Sequence, residues 1–378
     1  MVADMSGNQF DPENCPFLVV KVGSALLVNP DGSVRRAWLE KLVAELGQRH
    51  RAGQQIIIVS SGAIALGSRK LGFEKGGRAT LSEAQASASV GQIILSSLWA
   101  ELLASEAIIA AQMLITLGDL ENRRSYLNIS ATLRRLRRNN VVPVINENDS
   151  VTTQEIRFGD NDRLAARVAQ AAGADGVVLL SDIDGLYDRH PDHPDAEIIA
   201  EVPKVDGEIE AMADDGGPSS GMGSGGMASK LEAARIANMA GISLAIISGI
   251  EDNPLTRFAG GGPGTWFHPQ PEQSARKVWL GGLLSGDGQI FLDDGAVRAL
   301  REGNSLLAVG VVLIKGEFAR GDVVDILDKD GVIVARGLSE YKSADAKRIV
   351  GKNSDEIEAI LGHSPRSSLV HRDHMAML

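Results

Sequence analysis

The feature that most restricts how this chain folds is a unit that recurs along much of its length: a short apolar run, a tight turn of small residues, then a helical stretch. Phe17-Leu-Val-Val-Lys-Val is the first run, closing at Gly23 with Ser24 just beyond it. Gln55-Ile-Ile-Ile-Val-Ser is the second, and it enters Ser61, Gly62 and the helix start Ala63-Ile-Ala-Leu-Gly. Periodicity predicts helices over 36–51, 82–103 and 122–139, an apolar segment over 108–115, and strands over 141–145, 176–180 and 242–248. Strands that are apolar throughout, separated by helices, belong to a mainly parallel sheet covered on both faces, so the expectation is a three-layer α/β sandwich. The turns of such units gather at the carboxyl edge of the sheet, where open α/β folds bind ligands.

Two features at that edge bear positive charge. Lys21 interrupts an apolar strand near its end, where it either snorkels to water or faces an anion. The stretch GMGSGGMASK, Gly221 to Lys230, brings together Gly221, Gly223, Gly225 and Gly226 and passes into a helix start at Ala228-Ser229-Lys230. Glycines let backbone N–H groups converge, a helix N-terminus adds positive potential and Lys230 adds a full charge, which together suit a phosphate. A flexible Gly/Ser linker accounts for the same composition. Neither a Walker loop, which needs Gly-Lys-Ser/Thr, nor a dinucleotide fingerprint, which follows a first strand, fits this segment.

Negative and amide groups gather elsewhere. INENDSVTTQEIRFGDND, Ile145 to Asp162, collects Asn146, Glu147, Asn148, Asp149, Glu155, Asp160, Asn161 and Asp162 after a strand and before a helix. One or two are accounted for by capping and loop solvation, but not all eight. Such a cluster holds an ammonium group, positions lysines or binds Mg²⁺ through oxygen. Ser181-Asp182-Ile-Asp-Gly-Leu-Tyr, also after a strand, frames a nucleotide or serves only as a turn. His190 and His193 lack the spacing of a metal site and read as a solvent loop. With no Ser/His/Asp order, CxxC or HExxH in the chain, phosphoryl transfer fits best, since it asks mainly for positioning and charge neutralisation.

The chain of 378 residues exceeds one ordinary core. Its net charge of −11 disfavours nucleic acid and anionic membranes as main partners. Cys15 is the only cysteine, no run of about 18 apolar residues is apparent, and a cytoplasmic location is expected. The expected division is a ligand-binding domain over 1–260, a linker over 261–276, a small β-rich domain over 277–353 and a loosely held tail to 378. Strands in the β-rich part are expected at Lys277–Leu280, Ser305–Ile314, Asp322–Leu327 and Val332–Gly337. The basic run Arg134, Arg135, Arg137 and Arg138 reads as a solvated helix face.

The motifs KVGSALL, VSSGAIALG, INENDSV, FGDNDRLAA, LLSDIDGLY and GMGSGGMASK, in this order, closely resemble the glutamate 5-kinase family of the amino acid kinase superfamily. The segment from about Lys277 to Lys352 resembles a PUA domain. The resemblance implies the amino acid kinase fold with a C-terminal PUA-like domain, and ATP-dependent phosphorylation of L-glutamate at its γ-carboxylate, the first step of proline synthesis. It implies that Ser61, Asn146, Asp149 and Asn161 hold glutamate, and that Lys21 and Lys230 flank the transferring phosphoryl group with Asp162, alone or together with Asp160, orienting them. Ser181, Asp182, Ser224, Gly225, Gly226, Met227, Ala228, Ser229 and Lys230, with Lys21, would contact ATP. Mg²⁺ would bridge the phosphates, with Asp160 or Asp162 as possible ligands. Feedback inhibition by proline and a homo-oligomer, dimer or tetramer, are further implications. Ser181 and Ser224 stand where the family usually has threonine, and Ala228-Ser229 where Ser-Thr is common. Rival readings are a sister kinase acting on acetylglutamate or aspartate, and an RNA-binding protein. The PUA-like segment carries 11 basic and 11 acidic residues, a poor footprint for RNA.

Overall fold

The computed structural model describes residues 7–29, 31–151, 160–214, 226–270, 286–362 and 368–378. The chain divides into two units, Met1–Pro271 and Glu272–Leu378. The first unit opens with β1 (Phe17–Val22), α1 (Ser24–Leu27), α2 (Arg36–Arg51), β2 (Gln55–Ser60), α3 (Ala63–Leu71) and α4 (Leu81–Ser105). It continues with β3 (Ile109–Ile115), α5 (Leu117–Glu121), α6 (Arg123–Arg138), β4 (Val141–Glu147), α7 (Asp160–Ala172) and β5 (Gly176–Ser181). The last elements are β6 (Glu201–Val202), α8 (Gly207–Asp214), α9 (Met227–Met239), β7 (Ser243–Ser248), α10 (Pro254–Ala259) and β8 (Gly264–Phe267).

These strands form one sheet in the order β3-β4-β2-β1-β5-β7-β8-β6. Every neighbouring pair is parallel except β7 with β8. The central strands β1 and β5 are buried along their whole length, which is why their sequences are apolar without alternation. Two cores cover the sheet. Leu18, Val20 and Val22 of β1 pack with Leu42, Leu95 and Trp99 on one face; Phe17 and Val19 pack with Leu164, Val168, Ala233 and Ala237 on the other. Because side chains alternate along a strand, Lys21 falls on the second face, under α7 and α9. The same parity sends Asn146 of β4 toward α4 and Glu147 toward the opposite face.

Two glycine features set the geometry around β2. Gly62 adopts φ +105°, the left-handed region that lets the chain turn from the strand into α3. Further along, α3 and α4 approach so closely that a Cβ on Gly67 would lie 1.8 Å from the Ser87 carbonyl oxygen, and one on Gly91 1.7 Å from that of Ala63. Helix α4 is long and apolar enough, by length and composition, to cross a membrane, although polar residues interrupt its apolar runs in the sequence. Its apolar side is instead spent on the core: Leu95, Leu98, Trp99, Leu102 and Leu103 are buried, and Trp99 donates its ring N–H to Ser60 Oγ at 2.9 Å.

The second unit carries β9 (Gly288–Leu292), β10 (Val311–Gly316), β11 (Val323–Leu327), β12 (Ile333–Ser339) and β13 (Val370–Met377) in a sheet of order β10-β9-β11-β12-β13. A buried ion pair, Arg336 to Asp325 at 2.6 Å, ties β12 to β11. Three expectations change here. Residues 264–267, placed in the linker, form β8 and pair with β7. The segment read as a loose tail contains β13, which pairs with β12 and buries Val370, Met375 and Ala376. The run Ser305–Ile314 starts its strand only at Val311, after a 3-10 turn over Ala308–Gly310. The strand expected at Lys277–Leu280 lies outside the described residues.

Candidate active site

The carboxyl edge of the first sheet gathers the side chains singled out from sequence. β1 carries Lys21 one residue before its end, α7 begins with Asp160, Asn161 and Asp162, and α9 brings in Lys230 on its first turn. Asp162 is fully buried and stands between the two lysines: Lys21 Nζ lies 2.6 Å from Oδ1 and Lys230 Nζ 3.3 Å from Oδ2. Both lysines are buried as well, Lys21 4% and Lys230 2% exposed. One carboxylate between two ammonium groups leaves a net positive charge away from water, which favours an incoming anion.

Protonation follows from the same geometry. Burial pushes the Lys21 ammonium below its ordinary pKa, with the Lys230 charge acting in the same direction and Asp162 opposing both. For Asp162, burial acts to raise the carboxyl, but the adjacent charges of Lys21 and Lys230 outweigh it and hold it below the usual carboxylate value. Asp182, just beyond the end of β5, adds its charge within electrostatic reach of Lys21. Ser181 Oγ donates to Asp182 Oδ1 at 3.1 Å.

One residue before Asp162, Asn161 faces another cluster. Its Nδ2 donates to Ser61 Oγ at 2.9 Å and to Asn146 Oδ1 at 3.3 Å. Asn146 Nδ2 donates to Gln92 Oε1 of α4 at 2.8 Å. Ser61, Asn146 and Asn161, separated widely in sequence, thus meet directly. Asp149 lies in the turn after β4, half-buried and within electrostatic reach of Arg78. Gln92 and Arg78 are the two polar residues here that sequence reasoning missed. Gln92 had one usable signal: it shares the helical stripe of Ala88, Leu95 and Trp99, where an amide needs a partner.

The Gly-rich segment is described only from Gly226 onward. Gly226 is the N-cap of α9, with no side chain capping the helix, and the Ser229 N–H bonds back to the Gly226 carbonyl at 2.9 Å. Met227 and Ser229 are half-buried and Ala228 exposed. Ser224 and Gly225 lie outside the described residues, as does the side chain of Asp160. His190 and His193 sit on the surface, where each ring Nδ1 accepts a backbone N–H two residues on, from Asp192 and Asp195. That is turn chemistry.

Comparison with known proteins agrees with this arrangement. Residues 16–248 match the amino acid kinase family and residues 288–361 match the PUA domain. The chain is 61% identical over 369 residues to a glutamate 5-kinase of Sphingopyxis alaskensis, covering 98% of this chain and 99% of that one. It is 60% identical to a glutamate 5-kinase of Novosphingobium aromaticivorans, covering 96% of each chain. A third, from Zymomonas mobilis subsp. mobilis, is 57% identical over 377 residues, covering 100% of this chain and 95% of that one. Fold, edge residues and full-length similarity together show that the chain belongs to the amino acid kinase family, among the glutamate 5-kinases that carry a C-terminal PUA domain.

Proposed function

We propose that the chain transfers the γ-phosphoryl group of ATP to the γ-carboxylate of L-glutamate, forming L-glutamyl 5-phosphate for proline synthesis. The observation that carries this reading is the adjacency of Asn161 and Asp162 on α7, one facing the Ser61–Asn146 cluster and the other gripping Lys21 and Lys230. A single helix start thereby joins an amino-acid acceptor site to a phosphoryl site.

The acceptor needs no general base, because a γ-carboxylate with an ordinary pKa of about 4.3 is already ionised at neutral pH. The difficulty is repulsion between two anions. Lys21 and Lys230 offset it by flanking the moving phosphoryl group, and Asp162 keeps the two ammonium groups apart and aimed before substrate arrives. Ser61, Asn146, Asp149 and Asn161 hold glutamate, with the Asp149 carboxylate matched to the α-ammonium. Ser181, Asp182 and the loop Ser224 to Lys230 contact ATP. Mg²⁺ would add charge neutralisation on the phosphates. The donor set fits a metal that arrives on ATP: both Asp162 oxygens face lysines, and the described residues hold no group of three metal-ligating side chains.

Proline acts on the same reading as a feedback inhibitor overlapping the glutamate site, and the enzyme works as a cytoplasmic homo-oligomer, dimer or tetramer. Millimolar proline then slows turnover at subsaturating glutamate, and unchanged rates would remove that claim. The reaction itself is tested with ATP, Mg²⁺, L-glutamate and hydroxylamine. Hydroxamate and ADP should appear together and only with glutamate; folded protein that makes no glutamate-dependent hydroxamate would sink the assignment.

A further inference from the structure

The hydrogen bonds around Asn161 have a direction that starts from a group unable to turn. The backbone N–H of Glu147 donates to Asn146 Oδ1 at 2.9 Å, so that end of the Asn146 amide must be oxygen. Its other end, Nδ2, then needs an acceptor, and Gln92 Oε1 provides one at 2.8 Å. Because Asn146 shows its oxygen toward Asn161, Asn161 turns its Nδ2 to meet it, at 3.3 Å, and gives its other amide hydrogen to Ser61 Oγ at 2.9 Å. Both donors of Asn161 are spent. What remains is Asn161 Oδ1, a buried acceptor that has no hydrogen-bond partner among the described residues.

A buried carbonyl oxygen left unmatched is costly, and a ligand that brings an N–H donor removes that cost. We infer that Gln92 is a positioning residue for substrate selection: by accepting from Asn146 Nδ2 it satisfies the donor end of an amide whose oxygen end the Glu147 N–H already fixes, and so holds Asn146, and through it Asn161, in the pose that presents an oxygen to the α-ammonium of the substrate. The inference rests on the glutamate-kinase reading above and adds to it the reason why an α-amino acid is preferred over a plain dicarboxylate. Gln92 itself touches no substrate. It acts through Asn146, which is 2% exposed and has no room to choose between orientations once both ends are engaged.

The position on α4 explains how the residue is held. Gln92 follows Gly91, the residue at which α4 meets α3 without space for a side chain, so its backbone is pinned against the helix that begins just after Ser61 and Gly62. Gln92, on α4, and Ser61, in the short turn that leads into α3, therefore both stand next to the same close helix contact.

The test compares L-glutamate with glutarate, which has both carboxylates and no α-ammonium. Gln92→Met keeps the length of the side chain and removes its acceptor; Gln92→Glu keeps an acceptor. For the full chain with ATP and Mg²⁺, Gln92→Met should raise the glutamate KM about tenfold, leave kcat within about threefold, and leave the inhibition constant of glutarate within about twofold. Gln92→Glu should stay close to wild type in all three. Equal weakening of glutamate and glutarate in Gln92→Met would show a packing role and overturn the inference, as would a Gln92→Glu variant as impaired as Gln92→Met. Should Gln92→Met fail to fold, Gln92→Ala replaces it with the same expected pattern. Wild-type protein without glutamate-dependent turnover would instead refute the kinase reading, a failure visible before any variant is made.

Discussion

In Asp162→Asn the side chain keeps its size and loses its charge at a point that water does not reach. The wild-type residue is fully buried, 2.6 Å from Lys21 Nζ and 3.3 Å from Lys230 Nζ. Its removal leaves two ammonium groups facing a neutral amide. Breaking a buried pair by deleting one partner costs about 3–5 kcal/mol. Lysine chemistry sets an independent ceiling, because an ammonium that becomes too costly gives up its proton. From an ordinary pKa of about 10.4, that release costs about 4.6 kcal/mol at pH 7 and about 1.9 kcal/mol at pH 9. Lys21 is the residue to yield, since burial already lowers its pKa.

The sign follows from proton counting. The folded variant with a neutral lysine binds fewer protons than its unfolded chain, so its stability climbs as the pH rises toward the ordinary lysine value. Urea unfolding, followed by fluorescence of the buried Trp38 and Trp99, should show a deficit of about 3–5 kcal/mol at pH 7 that falls to about 2 kcal/mol at pH 9. Added ATP should recover part of it, because its phosphates replace the missing negative charge. A deficit below about 1 kcal/mol, or one that does not change with pH, would refute the picture of a charge-balanced buried trio.

Other substitutions separate the two halves of the site. Lys230→Met retains volume and loses the charge, and should lower kcat by at least about 10²-fold in a coupled ADP assay; activity within threefold of wild type would remove Lys230 from the phosphoryl site. Asp149→Asn should raise the glutamate KM with little change in kcat, whereas a large loss of kcat at unchanged KM would contradict its contact with the α-ammonium. Gly91→Ala forces a methyl against the Ala63 carbonyl oxygen and should destabilise by about 1–3 kcal/mol or more in urea unfolding; unchanged stability would mean that the helix pair yields easily. Acid titration tests Asp162 from the other side. Its folded pKa lies below the ordinary value, so the stability it contributes is present above about pH 4 and lost as the pH falls further. That acid-sensitive component should be missing from Asp162→Asn.

Much of this arrangement is legible in the amino-acid sequence alone. β1, β2, β4, β5 and β7 are buried on both faces, so each shows as a mainly apolar run closing in a polar or small-residue turn. Lys21 stands out because charge in such a run needs a reason, and strand parity alone places it on the face of α7 and α9. Other parts carry weaker signals. β13 reads Val-His-Arg-Asp-His-Met-Ala-Met, an edge strand with a register shift against β12, and its polar residues mimic a tail. β8 is only four residues long and follows a glycine-rich loop. Gln92 lies in an Ala- and Ser-rich helix, far in sequence from Asn146, and only the folded pairing gives it meaning. Arg78 is hidden in the same way, in the loop before α4 opposite Asp149.

The central claim is that a glutamate γ-carboxylate oxygen attacks the phosphorus of ATP between Lys21 and Lys230, on an acceptor aligned by Asn161. Isotope tracing addresses this bond directly. With L-glutamate labelled by ¹⁸O in both γ-carboxylate oxygens, hydroxylamine cleavage of the product releases phosphate that retains the bridging atom. The account predicts one ¹⁸O in each phosphate formed, with ADP in equal amount. Unlabelled phosphate, or ADP that appears equally fast without glutamate, would contradict it.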